Sequence, residues 1–196
     1  MSAVLLSPES INDLTLERLR HMTEQELLAI WSAAPAPALD ELHGEYQSAM
    51  PMPIAERHDD FHHKYGLGEW IGKAFAPISH ANFDGQGHNL CIKDGVVQRW
   101  MRFGTRIGSS IVDGRPALMM HYNAFDNLCA EPDLVDEIRK VRRSLYVAVC
   151  TMAANNELFG EVDPDTSRTP PLPFLLRGPF ALWHGPDDPE FELRPQ

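Results

Sequence analysis

The run Gly87-His88-Asn89-Leu90-Cys91-Ile92-Lys93-Asp94-Gly95-Val96-Val97-Gln98-Arg99-Trp100-Met101-Arg102-Phe103 sets two strand-like stretches, Gly87–Lys93 and Val96–Phe103, on either side of Asp94-Gly95. Asp-Gly between such stretches predicts a β-hairpin, because both central residues of a tight type I′ turn need positive φ. The pattern repeats downstream, where Asp113-Gly114 separates Ile107–Val112 from Pro116–Asn123. Two hairpins in sequence make a meander. Outward from it, Leu134–Val141 and Leu145–Met152 pair about the basic turn Arg142-Arg143-Ser144. Gly44–Met50 and Glu69–Pro77 add strands before the meander, and Pro173–Trp183 adds one after it.

Eight or so sequential antiparallel strands without βαβ spacing bury their edges most simply by closing on themselves. The expected fold is therefore mainly β, an antiparallel up-and-down barrel, with a twisted open sheet wrapped on helices as the alternative. Thr23 followed by Glu24, Gln25 and Glu26 is a capping-box pattern. Leu27, Leu28, Ile30 and Trp31 supply an apolar helix face that Pro35 stops. A shorter helix or turn covers Leu14 to Met22, and a histidine-rich one runs from Pro53 to Tyr65. These helices read as a lid or plug. Asn155 to Pro171 reads as a long polar loop near the barrel mouth.

A chain of 196 residues fits one domain: residues 1–66 as a helical segment with the first strand, residues 67–196 as the barrel meander. Acidic residues outnumber basic ones by 28 to 17, for a net charge of −11, which works against nucleic acid and anionic membranes as partners. No run approaches the roughly 18 apolar residues of a membrane span. The opening residues lack the basic segment of a signal peptide, so a cytoplasmic location is expected. Cys91, Cys129 and Cys150 form no Cys-x-x-Cys pair and read as reduced thiols, Cys91 and Cys150 as small core residues.

Trp70-Ile71-Gly72-Lys73-Ala74-Phe75, with Glu26-Leu27-Leu28 in a helix and Gly44-Glu45-Tyr46 opening a strand, resembles the arrangement of the bacterial GXWXG family. Tyr46 stands where that motif has tryptophan, and Ser48 where it has its final glycine. The resemblance covers about the first half of the chain and implies a lipocalin-like barrel. It implies no catalytic residue.

Signatures of acyl-enzyme and nucleotide chemistry are absent. Phe83-Asp84-Gly85-Gln86-Gly87-His88 contains Gly-x-Gly but lacks a third glycine and a following helix, and reads as a turn. His58 and His62 stand at i and i+4 and could face one metal, with Asp59, His80 or His88 as a third ligand. A solvated, charged helix face accounts for the same residues, and neither metal nor cofactor is expected.

Alternation divides the meander into faces. In Arg115–Asn123 apolar bulk favours Leu118, Met120 and Tyr122 as interior, which places His121 outside or under a helix; a bulge would exchange them. In Val96–Phe103 the pattern leaves either face open. Tyr46, Trp70, Phe75, Trp100, Met120, Tyr122 and Tyr146 recur at interior positions as large, mostly amphipathic side chains suited to an apolar pocket. Packing alone also explains each of them. Lys73 can point inward between Ile71 and Phe75, toward a carboxylate or a ligand anion. Asp136, Glu137 and Arg139 read first as cross-strand ion pairs at the surface.

The function expected is binding of a small hydrophobic molecule in the cavity. If catalytic, the chain is a cofactor-independent isomerase, cyclase or lyase, with Tyr122, His121 and Asp136 as acid–base candidates. Tyr46, Trp70, Lys73, Phe75, Trp100, Met120 and Tyr146 are the ligand contacts. A carrier or sensor of lipophilic ligands is the alternative. A second copy, in a homodimer, is the one macromolecular partner considered.

Overall fold

The computed structural model describes residues 11–130 and 132–180. Eight strands follow in chain order: β1 Gly44–Ala49, β2 Glu69–Ala76, β3 Gly85–Lys93, β4 Val96–Ser109, β5 Pro116–His121, β6 Val135–Arg142, β7 Leu145–Thr151 and β8 Leu172–Phe180. Each pairs antiparallel with the next, and β8 returns to β1, for example Ser48 opposite Leu176. The chain is a closed, up-and-down eight-stranded antiparallel barrel, so no strand edge is left unpaired. The open-sheet alternative is excluded. No helix among the described residues is long and apolar enough to cross a membrane.

The first Asp-Gly turn is as read: Asp94 (φ 53°) and Gly95 (φ 75°) join Lys93 to Val96 directly. The second is wider. Ile107–Val112 is not a separate strand; β4 runs on continuously to Ser109, and Ile111 and Val112 lie exposed in the turn. There the Ser110 hydroxyl accepts from the backbone N–H groups of Val112 and Asp113. β5 stops at His121, and Tyr122–Ala124 forms one 3₁₀ turn. β8 begins one residue earlier than expected, and the expected end at Trp183 lies outside the described residues.

The glycine-rich segment 83–88 is not simply a turn, since Gly85 already opens β3. Its glycine at position 87 serves close approach: a Cβ there would lie 2.2 Å from the Ala74 carbonyl oxygen and 2.5 Å from the Phe103 ring.

Two bulges change which residues face inward. In β2 the register slips between Trp70 and Gly72. Trp70 therefore shares the inner core with Phe75, while Ile71 packs on the outer face with Ala74 and Leu90. In β4 the stretch Trp100 to Phe103 spans only Asn89 to Gly87 on β3, with Met101 at φ 50°. Inward parity changes there, and Trp100, Met101 and Phe103 all pack against the inner core. Neither face of Val96–Phe103 is interior throughout.

Helices α1 Leu16–Arg20, α2 Glu24–Ala33 and α3 Met52–Lys64 dress the barrel. The Thr23 capping box forms as read, with Thr23 Oγ1 accepting from Glu26 N–H and Glu26 Oε2 accepting from Thr23 N–H. α2 is a brace on the outer wall, not a lid. Its Leu27, Ile30 and Trp31 pack on Val147, Val149 and Leu175. This cover corrects the surface ion-pair reading of β6. Glu137 and Arg139 face outward from the barrel yet are fully buried: Trp31 Nε1 donates to the Glu137 carbonyl, and Arg139 lies 3.9 Å from the centre of the Trp31 ring. Arg139 pairs with Asp113 at 2.6 Å, outside the strand pair altogether.

At the β2 bulge, a Cβ on Gly72 would sit 2.0 Å from the Tyr46 carbonyl oxygen of β1. Gly72→Ala should therefore lower stability by about 1–3 kcal/mol through overpacking, read as a shift of the urea midpoint. An unchanged midpoint would mean that β1 and β2 do not approach this closely.

Candidate functional site

The barrel is filled at one end and hollow at the other. A run of edge-to-face and tilted rings, Tyr122 to Phe103, Phe103 to Phe75, Phe75 to Tyr46 and Tyr46 to Tyr146, spaced 5.3–5.7 Å between centroids, closes one half with Leu118, Met120 and Ile138. Beyond Tyr122 lies a cavity of about 430 Å³. α3 covers it with His58, Phe61 and His62; the loop after β7 adds Asn156, Leu158 and Phe159. Exposed Tyr65 and Leu128 mark its mouth.

Its floor is polar. Lys73 of β2 and Asp136 of β6, each 2 % exposed, form an ion pair of 2.7 Å. Lys73 Nζ also donates to Asn89 Oδ1 and to the Tyr122 hydroxyl, both at 2.6 Å. The Tyr122 hydroxyl in turn donates to Asp136 Oδ2 at 2.9 Å. Four rings, those of Trp70, Phe103, Tyr122 and Phe174, stand 5.2–5.4 Å from the ammonium. A buried cation among ring faces and one carboxylate is held by both its counter-charge and the ring quadrupoles. Burial pushes the Tyr122 hydroxyl well above the usual tyrosine range, and the adjacent Asp136 adds to this, so the hydroxyl remains a donor at neutral pH.

Of the residues singled out in the sequence, Trp70, Lys73, Tyr122 and Asp136 line this one cavity. Asp136 is no surface residue, because its parity on β6 turns it inward, opposite Cys150 of β7. Tyr46, Phe75, Met120 and Tyr146 belong to the filled half, where Tyr46 donates to the Glu41 carbonyl at 3.0 Å. Trp100 is half-buried against the same core without lining the cavity. His121 sits on the other face of β5, 5.5 Å from the Phe83 ring, apart from Tyr122 and Asp136. Burial, with Arg106 nearby, lowers its pKa.

His58 and His62 do meet, as rings stacked 4.3 Å apart, with His58 paired to Asp59 and set against Trp70. The other suggested metal ligands lie elsewhere: His80 stacks on Phe125, and His88 is held down to about 4 by burial, with Arg99 and Arg102 adding to it. Among the described residues, no three His, Cys, Asp or Glu side chains gather as a metal site.

The sequence reading missed Asn89, Met101, Cys129 and Cys150 as cavity residues. Asn89 follows from the same alternation that turns Cys91 inward, once the inner face of β3 is known. Burial pushes the Cys129 thiol up to about 12 and Cys150 well above its usual range, so both stay protonated and weakly nucleophilic.

No family model and no curated protein matches the chain. Among solved structures it is similar to the crystal structure of a protein from Thermomonospora curvata, at 16% sequence identity and a TM-score of 0.49, over 80% of this chain and 88% of that one. The likeness is distant, and nothing about the site follows from it.

Removing one partner of a buried pair leaves the other charge uncompensated. Lys73→Met and Asp136→Leu should each cost about 3–5 kcal/mol, and the double variant much less than their sum. A urea double-mutant cycle measures this. Single costs below about 1 kcal/mol would place the pair in solvent.

Proposed function

We propose that the chain holds a small, largely apolar molecule in the barrel cavity and moves protons on it without a cofactor, as an isomerase, cyclase or lyase does. The observation that carries this reading is the buried Lys73–Asp136–Tyr122 cluster on the floor of an otherwise apolar cavity. An apolar container needs no ion pair, whose burial opposes folding unless its geometry is good. In this reading Asp136 accepts a proton from the bound molecule, and the Lys73 ammonium, held in place by Asn89 and Tyr122, offsets by its charge the negative charge that develops. His121 has no part in it, and Trp70 and Phe174 hold the substrate body. Membership of the GXWXG family, a single domain and a cytoplasmic location belong to the same proposal.

The carrier or sensor reading has one observation in its favour. Each of the three N–H bonds of Lys73 already has a partner within the protein. A group so engaged can be purely structural.

Native mass spectrometry of freshly purified protein should show a co-purified lipophilic molecule. Incubated with the wild-type protein, that molecule should be converted to an isomer, a cyclised form or an elimination product. Tyr122→Phe should lower the rate about 100-fold or more. It should also cost about 1–2 kcal/mol of stability, since the hydroxyl serves both Lys73 and Asp136. A molecule that binds and returns unchanged would establish the carrier instead.

A further inference from the structure

The charge balance and donor count of the cavity floor go further, resting on the reading that the cavity is a binding site. The Lys73–Asp136 ion pair sums to zero charge, and both residues are 2 % exposed. A charged ligand group set against them would be buried without a counter-charge, which is strongly unfavourable. The end of the ligand that reaches the floor must therefore be neutral.

The hydrogen-bond inventory then fixes its polarity. Lys73 donates to Asn89 Oδ1, Tyr122 Oη and Asp136 Oδ2, and Tyr122 donates to Asp136. Lys73 can only donate, so it fixes the Asn89 carbonyl toward itself and turns the amide nitrogen away. Among the described residues that nitrogen finds only the thioether sulfur of Met101, at 3.8 Å. A thioether is a weak acceptor, so the Asn89 amide, 7 % exposed and lining the cavity, retains unused donor capacity. The walls offer ring faces and soft sulfur from Phe61, Trp70, Phe159, Phe174 and Met152. Such surfaces favour a flat, polarisable body.

We infer that the ligand is an uncharged aromatic or conjugated carbonyl compound, a ketone, aldehyde or quinone, whose carbonyl oxygen accepts from Asn89 Nδ2 beside the Lys73–Asp136 pair. In a ketone that carries an sp3 C–H beside that carbonyl, Asp136 can take the proton, the electron pair of the C–H bond passing to the carbonyl oxygen.

The test is isothermal titration calorimetry at pH 7 with three probes of one shape: 2-acetylnaphthalene, 2-naphthoate and 2-naphthylmethylammonium. The wild-type protein should bind the ketone at least about tenfold more tightly than either ion. Asp136→Asn, which leaves Lys73 uncompensated, should shift the ratio of carboxylate to ketone affinity about tenfold or more toward the carboxylate; no shift would overturn the inference. If that variant does not fold, the wild-type measurement decides alone. Either ion binding wild type as tightly as the ketone overturns the inference while leaving a binding cavity in place. Failure of all three to bind overturns the cavity reading, and this inference with it.

Discussion

Lys73 and Asp136 lie on β2 and β6, four strands apart in an eight-stranded barrel, and so face each other across its diameter. Their pairing spans the interior, and most of the inner architecture accommodates it. A buried charge needs a partner and satisfied hydrogen bonds; Asn89 of β3 and Tyr122 at the end of β5 supply the remainder. The four groups form a polar partition. Below it, the rings from Phe103 to Tyr146 interdigitate with Met120 and Ile138 and leave the barrel packed. Above it, the interior is left to a guest.

The bulges serve this partition. The slip in β2 puts Trp70 on the same face as Phe75 and brings its ring over the Lys73 ammonium. The bulge in β4 sends Met101 to the cavity wall while Phe103 stays beneath Tyr122. A strictly alternating strand could present Met101 and Phe103 on the interior, but not Trp100 with them. α2 meanwhile covers the outer wall of β6, where the Glu137 backbone carbonyl accepts from Trp31 and the Arg139 guanidinium donates to the Trp31 carbonyl, tying helix to barrel. α3 instead covers the open end, and residues of that helix complete the cavity.

What could be read from the sequence was whatever short-range chemistry dictates. Asp94-Gly95 specifies its hairpin by backbone conformation alone, and the Thr23 box by side-chain reach. Leu118, Met120 and Tyr122 keep clean alternation and face inward together. What could not be read depends on residues distant in the chain. Asp136 looks like part of a charged surface ladder until Lys73, from β2, is known to lie opposite. Glu137 and Arg139 look solvated until Trp31 is placed over them. Ile111 and Val112 have strand composition but fall in a turn, where Ser110 takes the backbone N–H groups that a strand partner would otherwise hold. The aromatic residues were found as a set, yet which fill and which line depended on where the polar partition falls.

The central claim is that the half of the barrel above the Lys73–Asp136 pair receives a guest and the half below it does not. Methionine methyl NMR separates the two, because Met50, Met101 and Met152 line the cavity, Met120 lies in the packed half and Met119 on the outer face. On titration with 2-acetylnaphthalene, the methyl signals of Met50, Met101 and Met152 should move together in a saturable manner, with Met119 and Met120 nearly still. Shifts centred on Met119, or none at the three cavity methyls, would contradict the account.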